Sequence, residues 1–325
     1  MSMRRRDFLK ALAGGSALLA AAPETAFARR RKQDLPPKAV GILYDSTLCI
    51  GCQVCVFACK QANDMPIDHF GPQNTWDNPR DLSADTLNII KLYKDGEPGT
   101  VVKNRVENGY AYIKRHCMHC IDPACVSACP VSALTKHPES GVVAYNKDKC
   151  IGCRYCMIAC PYNIPKFEWE SPFPRIRKCQ LCDHLYPMGG YSACCKFCPT
   201  GASIFGPVDD LMEETRRRLD MTPGQYYEFP VAATFSGQTT VHKAAQYVPH
   251  VYGENEVGGS QVLFMAGVPF TTLGLPDLPA KSYVALSDGI QYAIYKGLVY
   301  PIVVLGGLIY MVRRRDVSHE LPHKE

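Results

Sequence analysis

Two apolar stretches stand at opposite ends of the chain, and between them hydrophobic positions come in short, interrupted bursts. Residues 11–22 form a run of twelve small or apolar side chains, too short for a bilayer core that takes ~20 residues. Residues 297–312 hold sixteen positions without a charge. Extended back to Ile290, with Lys296 reaching to the interface, this second run gains spanning length. Tyr292, Tyr295, Tyr300 and Tyr310 fall where an aromatic belt would lie, and Arg313, Arg314 and Arg315 follow at once. The pattern predicts a transmembrane anchor over 290–312 and a cytoplasmic tail over 313–325. In the body, short strands are expected at 41–44, 111–114 and 142–145. A hairpin is expected where 134–136 meets 142–145 across the turn 137–141. One helix is expected near 209–219. The rest of 207–289 is rich in Pro, Gly and Tyr and reads as an extension wrapped over the core or a partner. Residues 68–100 are weakly patterned.

The composition is globular, 46% hydrophobic and 21% charged over 325 residues, which excludes a disordered or collagen-like chain. A mean hydropathy of −0.13 excludes a polytopic membrane protein. The net charge is +5, part of it in the N-terminal stretch, too mild to argue for nucleic acid. Cysteine is the outlier, with seventeen in one chain.

Residues 1–28 read as an export signal. Arg4, Arg5 and Arg6 form a basic end, the apolar run follows, and Ala26-Phe27-Ala28 gives a small-x-small cleavage pattern. Arg5-Arg6-Asp7-Phe8-Leu9-Lys10 resembles the twin-arginine motif. That resemblance implies cofactor loading in the cytoplasm, then export by the twin-arginine machinery.

Sixteen cysteines fall into four groups of four. Cys49, Cys52, Cys55 and Cys59 are spaced C-x2-C-x2-C-x3-C, as are Cys150, Cys153, Cys156 and Cys160. Cys117, Cys120, Cys125 and Cys129 follow C-x2-C-x4-C-x3-C; Cys179, Cys182, Cys194 and Cys198 follow C-x2-C-x11-C-x3-C. Cys195 is left over. Four tight runs make a poor disulfide framework, because cysteines two apart along a loop converge on one point. Zinc would accept paired C-x2-C. It does not call for a third thiolate two residues on and a fourth after x3, followed in three groups by proline. That run is the bacterial two-cluster ferredoxin signature, whose fourth cysteine ligates the other cluster.

The groups also repeat internally. Residues 44–52 and 145–153 both read Y-x4-C-I-G-C, and Cys129-Pro130 opens a segment echoed from Cys198-Pro199. The first group thus resembles the third, and the second resembles the fourth. The second and third are adjacent and the first and fourth bracket them, so one ferredoxin reads as inserted inside another. The expected fold class is α+β: two interleaved ferredoxin-like units over 29–206, the inserted one at about 111–165, followed by the extension and the anchor. Crossing the fourth cysteines gives four [4Fe–4S] ligand sets: Cys49, Cys52, Cys55 and Cys198; Cys59, Cys179, Cys182 and Cys194; Cys117, Cys120, Cys125 and Cys160; Cys129, Cys150, Cys153 and Cys156. Gly51 and Gly152 let the backbone bend close around sulfur. His116 and His119 read as neighbours of ligands. Lys114, Arg115, Arg154, Arg177 and Lys178 read as cluster-side cations or as ordinary solvated surface. No dinucleotide fingerprint, P-loop or H-E-x-x-H competes, and no catalytic residue is expected.

These spacings resemble the iron–sulfur subunits of membrane-bound respiratory enzymes, formate dehydrogenase and dimethyl sulfoxide reductase among them. Segments 43–56, 107–134 and 152–166, with PHVYGE at 249–254 and YKGLVYP at 295–301, narrow the resemblance to the hydrogenase-2 branch. The resemblance implies an electron-transfer subunit on the periplasmic face of the bacterial inner membrane. Its implied partners are the large and small subunits of a nickel–iron hydrogenase and an integral membrane, quinone-reactive subunit. The alternative is the beta subunit of a molybdopterin oxidoreductase such as formate dehydrogenase.

Overall fold

The computed structural model describes residues 34–67, 79–97, 99–172, 174–284, 297–298 and 301–313. The signal read over 1–28 and the tail from 314 onward lie outside them.

The central sheet has the order β12-β1-β9. β1 (Val40–Asp45) runs antiparallel to β9 (Ser203–Pro207) and parallel to β12 (Val262–Met265). β1 is apolar and buried over nearly its whole length, as a strand covered on both faces must be. Tyr44 pairs with Phe264 on one side and Ser203 on the other. β1 leads directly to Cys49 and β9 begins five residues after Cys198, so this pairing brings the first and fourth cysteine groups to one end of one sheet.

A second sheet joins β2 (Ile89–Lys94), β4 (Gly109–Arg115) and β3 (Val102–Lys103), with β4 in the middle and leading to Cys117. The hairpin of β5 (Leu134–Lys136) and β6 (Val143–Tyr145) connects the second group to the third. Two further ribbons complete the five small sheets among the described residues: β7 (Lys166–Phe167) with β8 (Ile176–Arg177), and β10 (Tyr226–Pro230) with β11 (Thr239–Lys243). Four short helices carry cysteines: α1 (Val54–Ala62), α2 (Ala124–Ser127), α3 (Tyr155–Ala159) and α4 (Ala193–Lys196). α1 packs on α4, and α2 on α3.

The helix expected near 209–219 is α5 (Val208–Leu219). Asp209 and Asp210 in its first turn and Arg216, Arg217 and Arg218 in its last complement its dipole. Beyond it the chain returns to the core, since β12 supplies an entire edge of the central sheet. The segment read as a wrapping extension therefore helps to build the sheet that carries Cys49.

The fold is α+β, but the expected membrane anchor is corrected. Among the described residues no helix is long and apolar enough to cross a membrane. Near the C-terminus the described helical residues are 297–298 and 301–313; at 1.5 Å per residue the stretch 301–313 covers about 20 Å, against a hydrocarbon core of ~30 Å. Residues 290–296, 299 and 300 of the expected span lie outside the described residues.

Candidate metal centres

Each cysteine group opens on the same backbone device. The second residue between the first two cysteines has a positive φ: Gly51 (71°), His119 (48°), Gly152 (70°) and Leu181 (55°). This left-handed step turns the chain around the first sulfur. Gly51, Gly152 and Leu181 donate their N–H groups to Cys49, Cys150 and Cys179 Sγ at 3.5, 3.4 and 3.4 Å. Glycine is the residue that takes this conformation without strain. At Gly51 there is a second demand, because a Cβ there would meet the Tyr112 ring well inside contact distance.

The helices then separate the third and fourth cysteines. Cys55 and Cys59 lie one turn apart on α1, both buried. Cys125 and Cys156 lie on α2 and α3, with Cys129 and Cys160 at or just beyond their ends. Past the fourth cysteine the chain turns back again. Ala133 N–H donates to Cys129 Sγ at 3.2 Å and Ser203 N–H to Cys198 Sγ at 3.4 Å.

Cysteines from distant groups meet around three hollows. Cys49, Cys52, Cys55 and Cys198 line one. Cys59, Cys179, Cys182 and Cys194 line another. Cys129, Cys150, Cys153 and Cys156 line a third. The remaining four also gather: burial pushes the Cys120 thiol up, and the nearby sulfurs of Cys160, Cys125 and Cys117 push it further. These four groupings neighbour one another in series. Cys55 lies within electrostatic reach of Cys194, Cys179 of Cys117, and Cys125 of Cys156.

The donor set fits an iron–sulfur cluster better than a single ion. No carboxylate lines the three hollows. Four thiolates on one zinc stand about 3.8 Å apart, given Zn–S near 2.3 Å in a tetrahedron. Among the described residues, no three His, Cys, Asp or Glu side chains close up tightly enough to hold a single ion. Burial pushes the Cys59 and Cys156 thiols up to about 12, so ligation at these positions must expel protons.

Cys194 and Cys195 behave differently. The Cys195 S–H and the Lys114 ammonium hold Cys194 below the usual thiol range, while burial pushes Cys195 up. Cys194 lines the hollow; Cys195 is wholly buried in the apolar core beside it. The two histidines are also buried. His116 lines the Cys59 hollow and donates from Nδ1 to the Cys117 carbonyl at 3.0 Å. His119 Nδ1 accepts from Val143 N–H at 3.0 Å. Burial holds both well below the usual histidine range, hence neutral.

The Y-x4-C repeat has a physical meaning that sequence reasoning left unread. The Tyr44 hydroxyl, which donates to the Tyr112 carbonyl at 2.9 Å, stands beside Cys49, and the Tyr145 hydroxyl, which accepts from Ile176 N–H, stands beside Cys150. Each tyrosine thus lies beside the first cysteine of its own group. Two asparagines were also missed: Asn63 and Asn88 line the Cys59 hollow, with Nδ2 atoms donating to the Cys59 and Cys55 carbonyls at 2.8 and 3.1 Å. Among the basic residues, Lys114 and Lys178 are buried. Arg115 donates to the Gly274 carbonyl at 2.9 Å, Arg154 stacks on Trp169, and Arg177 stands 3.6 Å from Glu168.

A family model described as a 4Fe–4S dicluster domain matches residues 108–208. The chain is 47% identical over 316 residues to the hydrogenase-2 operon protein HybA of Escherichia coli O157:H7, covering 96% of this chain and 95% of that one. It is 31% identical over 270 residues to the nitrate-inducible formate dehydrogenase iron–sulfur subunit of Escherichia coli K12, covering 82% and 80% of the two chains. The formate dehydrogenase iron–sulfur subunit of Haemophilus influenzae is 31% identical over 285 residues, covering 86% and 79%. With sulfur-lined hollows and these likenesses over most of each chain together, the chain belongs to the family of 4Fe–4S electron-transfer subunits that includes hydrogenase-2 protein HybA and the formate dehydrogenase iron–sulfur subunits.

Proposed function

We propose that this chain is a molecular wire of four [4Fe–4S] clusters serving a hydrogenase of the hydrogenase-2 type. The four ligand sets are those read from the spacing: Cys49, Cys52, Cys55 and Cys198; Cys59, Cys179, Cys182 and Cys194; Cys117, Cys120, Cys125 and Cys160; Cys129, Cys150, Cys153 and Cys156. The observation that carries this reading is the serial arrangement of four sulfur groupings, each drawn from two separated cysteine groups. Each cluster, when bound, takes up one electron and passes it on. The protein's part is to hold the sulfurs, aim amide N–H groups at them, set Tyr44 and Tyr145 beside them, and exclude water. Residues 29–206 form the cluster-bearing part, with the unit at about 111–165 inserted within it. Neighbouring electrostatic contacts support the order in which the sets are named here.

The partners are the hydrogenase large and small subunits at one end and an integral membrane, quinone-reactive subunit at the other. The likeness to HybA, at 47% against 31% for formate dehydrogenase subunits, supports a hydrogenase rather than a molybdopterin enzyme as the electron source. Export proceeds by the twin-arginine route through Arg5 and Arg6, to the periplasmic face of the inner membrane. Affinity purification of the full chain from detergent-solubilised membranes, with mass spectrometry of what accompanies it, tests the partners. Recovery of nickel–iron hydrogenase subunits is expected; recovery of a molybdopterin catalytic subunit instead would overturn the hydrogenase assignment.

A further inference from the structure

Lys114 sits where an apolar residue belongs. It lies on β4, pairs across to Ile90 on β2, and is fully buried. A buried ammonium is costly unless an opposite charge and hydrogen bonds compensate it. Arg218, also fully buried, has Asp45 and Glu214 for this purpose. Among the described residues Lys114 has no carboxylate partner. Its Nζ donates to Ser203 Oγ at 3.2 Å, and the sulfurs of Cys194, Cys195 and Cys55 lie within electrostatic reach.

Those contacts place the ammonium between two hollows. Ser203 lines the one formed by Cys49, Cys52, Cys55 and Cys198, and its N–H donates to Cys198 Sγ. Cys194 lines the one formed by Cys59, Cys179, Cys182 and Cys194. Lys178 and Lys136, also withdrawn from solvent, spend their ammonium hydrogens mainly on carbonyl oxygens: Val143 and Cys179 for Lys178, Cys120 and Gly141 for Lys136. Lys114 instead faces sulfur and hydroxyl on both sides. The negative charge that balances it is that of the ligated centres.

Resting on the ligand sets above, we propose that Lys114 is a fixed counter-charge shared by the first two centres, raising both reduction potentials and easing simultaneous reduction of the pair. A four-thiolate cluster becomes more negative on taking an electron. A cation held in low dielectric beside it favours the reduced form. Because Lys114 neighbours a residue lining each hollow, Ser203 in one and Cys194 in the other, it also offsets the repulsion between two reduced neighbours.

The test is an EPR-monitored redox titration of the purified complex, with iron content measured on the same samples. Cys55→Ser and Cys194→Ser identify the signals of the first two centres. Lys114→Met is expected to retain full iron while the midpoints of those two centres move down and the other two stay. Lys114→Arg, which keeps the charge, is expected to stay near the unaltered protein. Unchanged midpoints in iron-replete Lys114→Met would overturn the proposal. Should Lys114→Met lose iron, Lys114→Gln is titrated in its place. Loss of iron in both, with retention in Lys114→Arg, would show a requirement for assembly and overturn the tuning role. Failure of the ligand sets themselves would show separately, as low iron in the unaltered chain.

Discussion

Arg218 on α5 and Asp45 at the end of β1 are joined by an ion pair of 2.8 Å, with both side chains shut off from solvent. Glu214 holds the same guanidinium through Nε at 2.7 Å, and Phe229 lies beneath it at 5.0 Å. Asp45 accepts further bonds from Tyr247 Oη at 2.7 Å and from the N–H and hydroxyl of Thr47 at 2.8 and 2.6 Å. Thr47 stands two residues before Cys49, and Lys103 donates to its carbonyl at 2.6 Å. A residue far along the chain thereby fixes the segment that presents the first sulfur.

Removing one member of such a network leaves a buried charge uncompensated. Arg218→Met should destabilise the protein by about 3–5 kcal/mol, read as a lowered denaturation midpoint. Adding Asp45→Asn should recover part of that loss. If the double variant is as unstable as the single, the ion pair is not what the core depends on.

The two glycines of the repeated C-I-G-C turns should not respond alike. Both need a left-handed conformation, at roughly 1–2 kcal/mol for a side chain. Both face an aromatic ring, but only at Gly51 would a Cβ collide with it, the ring of Tyr112; at Gly152 the nearest atom, of the Phe167 ring, is 3.5 Å away, an ordinary contact. Gly51→Ala should lose iron from the Cys49 centre, whereas Gly152→Ala should keep its iron with a modest loss of thermal stability. Equal effects in the two variants would refute the steric argument.

Cys194 and Cys195 give a sharper contrast. Cys194→Ser should abolish or alter one EPR signal of the reduced protein. Cys195→Ser should leave all signals in place and cost only packing. The reverse pattern would assign the ligand to Cys195.

Export should depend on the shape of the arginine side chain as well as its charge. Changing Arg4, Arg5 and Arg6 together to lysine keeps the charge and removes the planar guanidinium groups. Cluster-loaded protein should then accumulate in the cytoplasm. Normal amounts in the periplasm would exclude the twin-arginine route.

The metal chemistry was legible because ligand spacing is local: a C-x-x-C turn brings sulfurs together whatever the rest of the chain does. Strand β1, the β5–β6 hairpin and α5 were legible for the same reason, each written in one short pattern. The partnership of β1 with β12 was not, because it joins residues such as Tyr44 and Phe264 that no local periodicity connects. Lys114 and Lys178 read as solvated surface or cluster-side charge, and only packing shows that they are buried. The apolar run 297–312 shows the opposite failure. Its composition suited a membrane span, but the described helix is too short for one. Tyr44 and Tyr145 were visible as a repeat, yet their use became clear only with their hydroxyls beside Cys49 and Cys150.

The central claim is that sixteen cysteines hold four [4Fe–4S] clusters in series. It is tested most directly by iron, acid-labile sulfide and zinc analysis of the full chain purified without oxygen. Four clusters predict roughly sixteen iron and sixteen sulfide per chain, with negligible zinc. Stoichiometric zinc with little iron, or iron sufficient for only two clusters in undamaged protein, would contradict it.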